Sequence, residues 1–198
     1  MKLLYSSASP FARKVRACAV ALGIDQLIEL VEVSTADAPR ELTDANPLGK
    51  IPTLITADGF AIFDSPVICE YLNDSSDDIP IIPARGAPRW LCLRLQALGD
   101  GLMDAAVTRR QLLLNGGLDA SHPLPERQRA AIARTLDALE QEKLSLHIDV
   151  GVLSIACGLG YLDLRFAEED WRADHPILAD WYAAISEHEC LSSTAPGL

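Results

Sequence analysis

Basic residues are in short supply in this chain, with 17 Lys and Arg against 28 Asp and Glu, and aromatics and methionines are few. The resulting formal net charge of -11 repels phosphate backbones. No cluster of Lys or Arg interleaved with aromatics offers a counter-patch, so nucleic-acid binding is disfavoured. Long hydrophobic runs are missing as well. No stretch approaches the ~20 apolar residues of a membrane span, and Met1-Lys2 leads straight into Leu3-Leu4-Tyr5, too short for the apolar core of a signal peptide. The expectation is a soluble cytoplasmic protein with no membrane association. The five cysteines (Cys18, Cys69, Cys92, Cys157, Cys190) are odd in number, scattered and without C-x-x-C spacing, which points to neither a disulfide framework nor a zinc site. His122, His147, His175 and His188 fall at loops or helix ends without metal spacing and read as surface or internally satisfied residues, so no metal is expected.

The acidic balance leaves room for a small anionic ligand, because one or two local cations and a helix N-terminus hold a carboxylate even in an acidic protein. Lys50 and Arg13 are the candidate cations. At 198 residues and 49% hydrophobic, the chain has enough apolar material for a sizeable core in one large domain or two small ones.

Hydrophobic periodicity divides the chain. Lys2 to Ser6 reads as a strand that ends in Ser-Ser-Ala-Ser-Pro, and a helix follows on Phe11, Val15, Cys18 and Leu22, with Gly23 where a C-terminal glycine belongs. Leu27 to Val33 is β-rich. Asn46-Pro47-Leu48-Gly49 is a turn signal before a strand from Ile51 to Ile55, and Asp58-Gly59 forms a tight hairpin with Ala61-Ile62-Phe63. Asp64-Ser65-Pro66 then opens a helix whose buried face is Val67, Ile68, Tyr71 and Leu72. The order is βαβ followed by ββα.

Asn73 to Pro88 reads as a linker, between a first domain over residues 1–77 and a second over 86–198. Beyond it the pattern is helical throughout. One stripe runs Leu91, Leu95, Leu98, Leu102, another Ile132, Leu136, Leu139, and a third Leu178, Trp181, Tyr182, Ile185. Gly116-Gly117 and Ser121-His122-Pro123 separate the first two helices, and Asp149 is the N-cap of a helix through Ile155, Leu159 and Leu162.

Four strings, in this order and spacing, carry a resemblance along almost the whole length: Ser9-Pro10-Phe11-Ala12-Arg13-Lys14, Asn46-Pro47-Leu48-Gly49-Lys50-Ile51-Pro52, Phe63-Asp64-Ser65, and Gly160-Tyr161-Leu162-Asp163-Leu164-Arg165. The chain resembles bacterial members of the glutathione transferase superfamily. That resemblance implies an α/β thioredoxin-like N-terminal domain followed by an all-α C-terminal domain, glutathione as co-substrate, a small electrophile as second substrate, and a homodimer.

It also implies site residues. Pro52 would be cis, with the main chain of Ile51 pairing with the cysteinyl part of glutathione as an added strand does. Asp64 and Ser65 would grip the γ-glutamyl end at a helix N-terminus, although a plain helix cap explains the same pair. Lys50 would reach the glycyl carboxylate or else stay a solvated loop lysine. For the sulfur, Ser9 is the first candidate for donating a hydrogen bond to a thiolate, Tyr5 is the rival and Ser7 a weaker one; Ser9 also reads as a helix N-cap. Arg13 stands at the Ser-x-x-x-Arg spacing of serine-type classes, either as part of the site or only as a brace for its helix. The electrophile would lie against Phe11 and a helix carrying Met103, Asp104, Val107 and Thr108. Arg109-Arg110 would draw acidic substrates, but reads first as an exposed helical charge pair.

Two departures from the family pattern stand out. Val152 stands where a capping box after Asp149 has its acidic partner, and His188-Glu189 replaces an Arg-Pro. Two other functions compete. One is a non-catalytic adaptor with the same fold that binds a partner protein. The other is a glutaredoxin-like reductase, opposed by Ser9 and Ala12 standing where redox relatives carry cysteines.

Overall fold

The computed structural model describes residues 1–76, 79–114, 117–196. The first strand, β1 (Lys2–Tyr5), is followed by α1 (Pro10–Ala21), a short 3-10 turn, β2 (Glu29–Glu32), α2 (Arg40–Ala45), β3 (Thr53–Ile55), β4 (Ala61–Ile62) and α3 (Ser65–Asp74). The sheet order is β2-β1-β3-β4, with β1 parallel to β2 and antiparallel to β3, and β3 antiparallel to β4. Helices make up the rest: α4 (Gly86–Leu114), α5 (Pro123–Glu140), α6 (Val150–Arg165), α7 (Pro176–Ser186) and α8 (Glu189–Ser192). A mixed four-stranded sheet with its helices, followed by a helical remainder, is the expected fold class. Gly116, part of the expected break after the first long helix, and Asp77, the expected end of the first domain, lie outside the described residues.

Local chemistry explains most of the first elements. Leu3 and Leu4 are both fully buried, so the sheet is covered on its two faces. α1 and α3 pack together, with Val15, Cys18, Ile68 and Leu72 in one continuous core. α2 packs on β3 and buries Leu42. This six-residue helix was not foreseen, because a single buried leucine gives no periodicity. Val67 is another correction: it is 51% exposed, on the outer side of α3, while Ile68 and Leu72 hold the inner side.

The expected linker is anchored. Ile81 and Ile82 are buried, the Val150 N–H donates to Ile81 O at 3.0 Å, and the Ile82 N–H donates to Asn73 Oδ1 at 3.0 Å. The β-rich run also begins later than expected, since Asp25–Leu27 is the 3-10 turn.

In the helical part, α6 is the central element. Every residue from Val150 to Leu162 is buried, and the Asp149 carboxylate accepts from the Val152 N–H at 2.8 Å, so the N-cap forms without a capping box. α4 crosses α6 at very short range. A Cβ on Gly99 would stand 2.4 Å from the Ser154 carbonyl carbon and 2.5 Å from the Ile155 nitrogen. Of the first leucine stripe, Leu95 and Leu102 are buried but Leu91 is 50% exposed, a correction: its side chain lies on the outer face of α4 while Cys92 beside it is buried against α6.

Charged side chains join the two parts. Lys14, on α1, is fully buried and its Nζ lies 2.7 Å and 2.9 Å from the two carboxylate oxygens of Asp100 on α4, while the Ser154 hydroxyl donates to the same carboxylate at 2.5 Å. Arg109 is a further correction. It is 4% exposed, paired bidentately with Glu169 at 2.7 Å and 2.6 Å and stacked over Phe166.

His175 is buried between the Trp171 carbonyl, 2.7 Å from Nδ1, and the Asp137 carboxylate, 3.1 Å from Nε2. Burial opposes its charge, but these two acceptors outweigh it and the pKa is raised.

Two outcomes follow. Gly99→Ala forces helix backbones apart and is expected to lower unfolding free energy by about 1–3 kcal/mol in urea titrations. His175, with its folded pKa raised, contributes stability that is fully present below the unfolded value of about 6.5 and lost as pH rises through the folded value. The stability advantage of the wild type over His175→Gln should therefore shrink with rising pH across that window, as read from Tm.

Candidate functional site

Two cavities sit where the sheet meets α4. The smaller, about 380 Å³, is lined by the Asn46–Pro52 string, Phe63, Asp64, Ser65, Pro66 and the α4 residues Asp100, Gly101 and Asp104. The larger, about 850 Å³, contains Ser9, Pro10, the segment after β2, one face of α4, and Tyr161 and Arg165 of α6. Phe11, Lys50, Ile51 and Asp104 border both, so the two form one continuous groove.

The loop before β3 is built from its own sequence. Asn46 is buried, and its Nδ2 donates to Lys50 O at 2.9 Å and to Thr53 Oγ1 at 3.0 Å, while its Oδ1 accepts from the Leu48 N–H at 3.0 Å. Thr53 Oγ1 in turn donates to Lys50 O at 2.8 Å. Gly49 takes φ +60, a conformation that disfavours side chains, and its N–H closes the turn on Asn46 O at 2.8 Å. The Ile51–Pro52 bond is cis. Among the described residues no hydrogen bond is made to the main-chain N–H or C=O of Ile51, and Ile51 lines the groove. Lys50 is exposed and lines both cavities.

Asp64 and Ser65 begin α3, where Asp64 occupies the N-cap position with extended backbone but its side chain makes no capping bond. The plain-cap explanation of this pair therefore fails for Asp64: its carboxylate is exposed at the groove and leaves the first-turn N–H groups of α3 without a side-chain acceptor. Ser65 is 2% exposed.

The three hydroxyls considered for the sulfur are placed differently. Ser9 is the N-cap of α1, and its Oγ accepts from the Ala12 N–H at 3.2 Å. A hydroxyl that accepts keeps its proton free to donate, so capping and a second bond coexist without any change of partner. Ser7 is exposed and donates its proton to Glu32 Oε1 at 2.8 Å, with its N–H on the same oxygen at 3.0 Å. These bonds hold the Glu32 carboxyl below its ordinary pKa. Tyr5 lies under the guanidinium of Arg16, 5.4 Å from the ring centroid, and lines neither cavity. Ser9 alone of the three both lines the groove and has an uncommitted proton among the described residues.

Arg13, a candidate for holding an anion, faces inward instead. It is 5% exposed, its Nη2 donates to Leu191 O at 3.2 Å, and its Nη1 occupies the space where a Cβ on Gly160 would stand, 2.2 Å away. It braces α1 against α6 and α8. Met103, expected in the pocket, is fully buried outside it.

Further residues complete the larger cavity. Val33 to Ala36 follow β2, and Arg110 and Gln111 join Asp104, Val107 and Thr108 on one face of α4 at helical spacing. Tyr161 and Arg165 stand one turn apart on α6, with the guanidinium 6.0 Å from the Tyr161 ring centroid. Burial pushes the Tyr161 hydroxyl up, partly offset by Arg110 and Arg165. The helical repeat at 104, 107, 108 and 111 was a readable signal for Gln111; Tyr161 and Arg165 belong to the Gly160–Arg165 string that carried the resemblance but had no role assigned from it.

All five cysteines are buried. Burial pushes Cys18 well above the ordinary thiol range and takes Cys92 and Cys157 up to about 11, whereas the hydrogen bond from Cys18 lowers Cys69; burial keeps all five from presenting an accessible thiol. Cys18, on the same helix as Ala12, is buried and so does not replace the cysteines that the reductase reading lacks at Ser9 and Ala12. No described helix is long and apolar enough to cross a membrane.

A family model for "Glutathione S-transferase, N-terminal domain" matches residues 8–75. A curated Escherichia coli K12 protein, "Uncharacterized GST-like protein YibF", is 30% identical over 99% of this chain and 98% of its own. The chain belongs to the glutathione S-transferase superfamily. A glutathione transferase family member from Pseudomonas fluorescens Pf-5, crystallised with bound glutathione, superposes with a TM-score of 0.94 at 38% identity, covering 100% of this chain and 99% of the other. A second crystal structure with the same source and description, with bound S-(propanoic acid)-glutathione, gives 0.89 at 38% identity over 100% of both chains. This transferase-family chain therefore shares its whole architecture with proteins that hold glutathione or a glutathione conjugate. The sheet, the cis-proline loop and the helical remainder all fall within the matched lengths.

Proposed function

We propose that this protein is a glutathione transferase that binds glutathione along the Asn46–Ser65 side of the groove and presents its thiolate, at Ser9, to a small electrophile in the larger cavity. The observation that carries the reading is the Ser9 hydroxyl: it caps α1 through its oxygen, retains its proton, and lines the cavity that is continuous with Ile51 and Ser65. The glutathione-bound relatives of similar sequence support the ligand.

Each group has a role in this reading. The open main-chain N–H and C=O of Ile51 pair with the cysteinyl residue as a strand edge does, which fixes the sulfur in position. Ser65 and the uncapped first turn of α3 receive the γ-glutamyl carboxylate, with Asp64 near the ammonium, and Lys50 meets the glycyl carboxylate. A thiol has an ordinary pKa of about 8.5, and a hydrogen bond to the charged sulfur is worth about 1.5–3 kcal/mol, enough to lower that value by roughly one to two units. The N-terminus of α1 adds in the same direction. In the transfer step the sulfur forms a bond to the electrophilic carbon, the displaced group leaves with its bonding pair, and the thiol proton passes to solvent.

The second copy expected of a homodimer has a plausible face to bury. Val67 on α3 is 51% exposed and Trp90 on α4 is 68% exposed, on helices that Arg89 and Glu70 tie together at 2.5 Å. We propose that this face is the subunit contact.

Ser9→Ala should raise the pKa of bound glutathione by about one to two units and lower kcat/KM by roughly 10- to 100-fold while glutathione still binds, with Ser9→Thr retaining both cap and proton. Thiolate absorbance across a pH series reads the first effect. An unchanged pKa would remove Ser9 from the chemistry. Trp90→Glu should convert the dimer to monomer in light scattering; a protein that is monomeric before substitution would refute the subunit contact.

A further inference from the structure

The larger cavity has a basic wall that activation of a thiol does not need. Arg110 on α4 and Arg165 at the last turn of α6 both line it, in a chain whose formal net charge is -11. Five guanidiniums of this chain have carboxylate partners: Arg89 with Glu70, Arg94 with Glu142, Arg109 with Glu169, Arg129 with Glu126 and Arg172 with Asp163. Among the described residues, Arg110 and Arg165 have none, and Arg165 Nε is buried with no hydrogen-bond partner.

The neighbours do not neutralise them. Tyr161, buried beside both, is a hydroxyl, and Arg165 stacks over its ring. The acids on the cavity are otherwise placed: Glu32 accepts two bonds from Ser7, and Asp104 is exposed at the border with the smaller cavity. Two guanidiniums that line one cavity, neither with a carboxylate partner among the described residues, form a site suited to a carboxylate.

We infer that Arg110 and Arg165 select electrophiles bearing a carboxylate, which they hold while the electrophilic carbon meets the sulfur at Ser9. The inference rests on the glutathione reading above and names its substrate class. Arg109, adjacent in sequence, takes no part because it faces the other side of α4 and is committed to Glu169.

A chlorodinitrobenzoate is a suitable probe. The glutathione thiolate forms a carbon–sulfur bond at the ring carbon that bears chlorine, chloride leaves with the carbon–chlorine electron pair, the thiol proton goes to solvent, and nothing is oxidised or reduced. Its methyl ester removes the charge and adds one methyl group at that end.

The test is calorimetric and does not depend on turnover. Wild-type protein is titrated with glutathione, with the carboxylate-bearing conjugate, and with the methyl ester of that conjugate. The carboxylate conjugate should bind about ten-fold or more tightly than the ester. That ratio should fall close to one in the Arg110→Gln, Arg165→Gln double variant and recover in part when both positions carry Lys. The acid-to-ester ratio of kcat/KM should follow the same order.

If glutathione itself does not bind, the glutathione reading fails and this inference with it. If glutathione binds but wild type holds the two conjugates equally, or the double glutamine variant keeps the wild-type ratio, the inference alone is overturned. Should the glutamine pair not fold, the wild-type ratio still decides.

Discussion

The structure depends on how Lys14 is held. A fully buried ammonium is tolerated only with a close counter-charge, and Asp100 supplies it from α4 with both oxygens, itself steadied by Ser154 of α6. Three helices from the two halves of the chain thus meet at one charge pair. The pair has directional consequences for the groove. α1 carries Ser9 and Phe11 a turn ahead of Lys14, and α4 carries Asp104 a turn beyond Asp100, so the ion pair sets the distance between the two walls. Gly99, beside Asp100, lets α4 approach α6 closely enough for the Ser154 hydroxyl to reach that carboxylate.

Scarcity of positive charge gives each cation a distinct use. Arg13 and Arg109 are buried as braces, one against Leu191 O and the other against Glu169 and Phe166. Arg89, Arg94, Arg129 and Arg172 are paired nearer the surface, where such pairs contribute little, ~0–1 kcal/mol. Among the cations that no described carboxylate pairs, three line the groove: Lys50 at the loop, Arg110 and Arg165 at the far wall. The overall negative charge therefore coexists with a locally basic site, as a field argument based on the whole chain does not anticipate.

Much of the fold was legible. Strand–helix alternation up to Leu72, the helix stripes on Leu95, Leu136 and Trp181, and the caps at Ser9 and Asp149 all follow from periodicity and side chains within three or four residues. The misses have a common cause. α2 is too short to show a period, Val67 and Leu91 are apolar residues on outer faces, and Ile81 and Ile82 are core residues inside a stretch with loop composition. In each case burial is decided by what lies across the contact, and composition alone carries no record of that.

By itself, the sequence determined the parts of the groove whose partners are near in the chain. Asn46 folds the loop to Pro52 through Lys50 O and Thr53, all within seven residues, and Ser9 caps its own helix. Tertiary structure decided which candidate side chains face that groove. A helix turns about 100° per residue, so Arg109 and Arg110 diverge, one to Glu169 and one to the cavity. Ser7 gives its proton to Glu32 on another strand, Tyr5 goes under Arg16, and Arg13 points at the chain's last helix. Hydrogen bonds to close neighbours are encoded locally, whereas the direction in which a charge or hydroxyl finally points depends on partners up to 178 residues away, which only packing brings together.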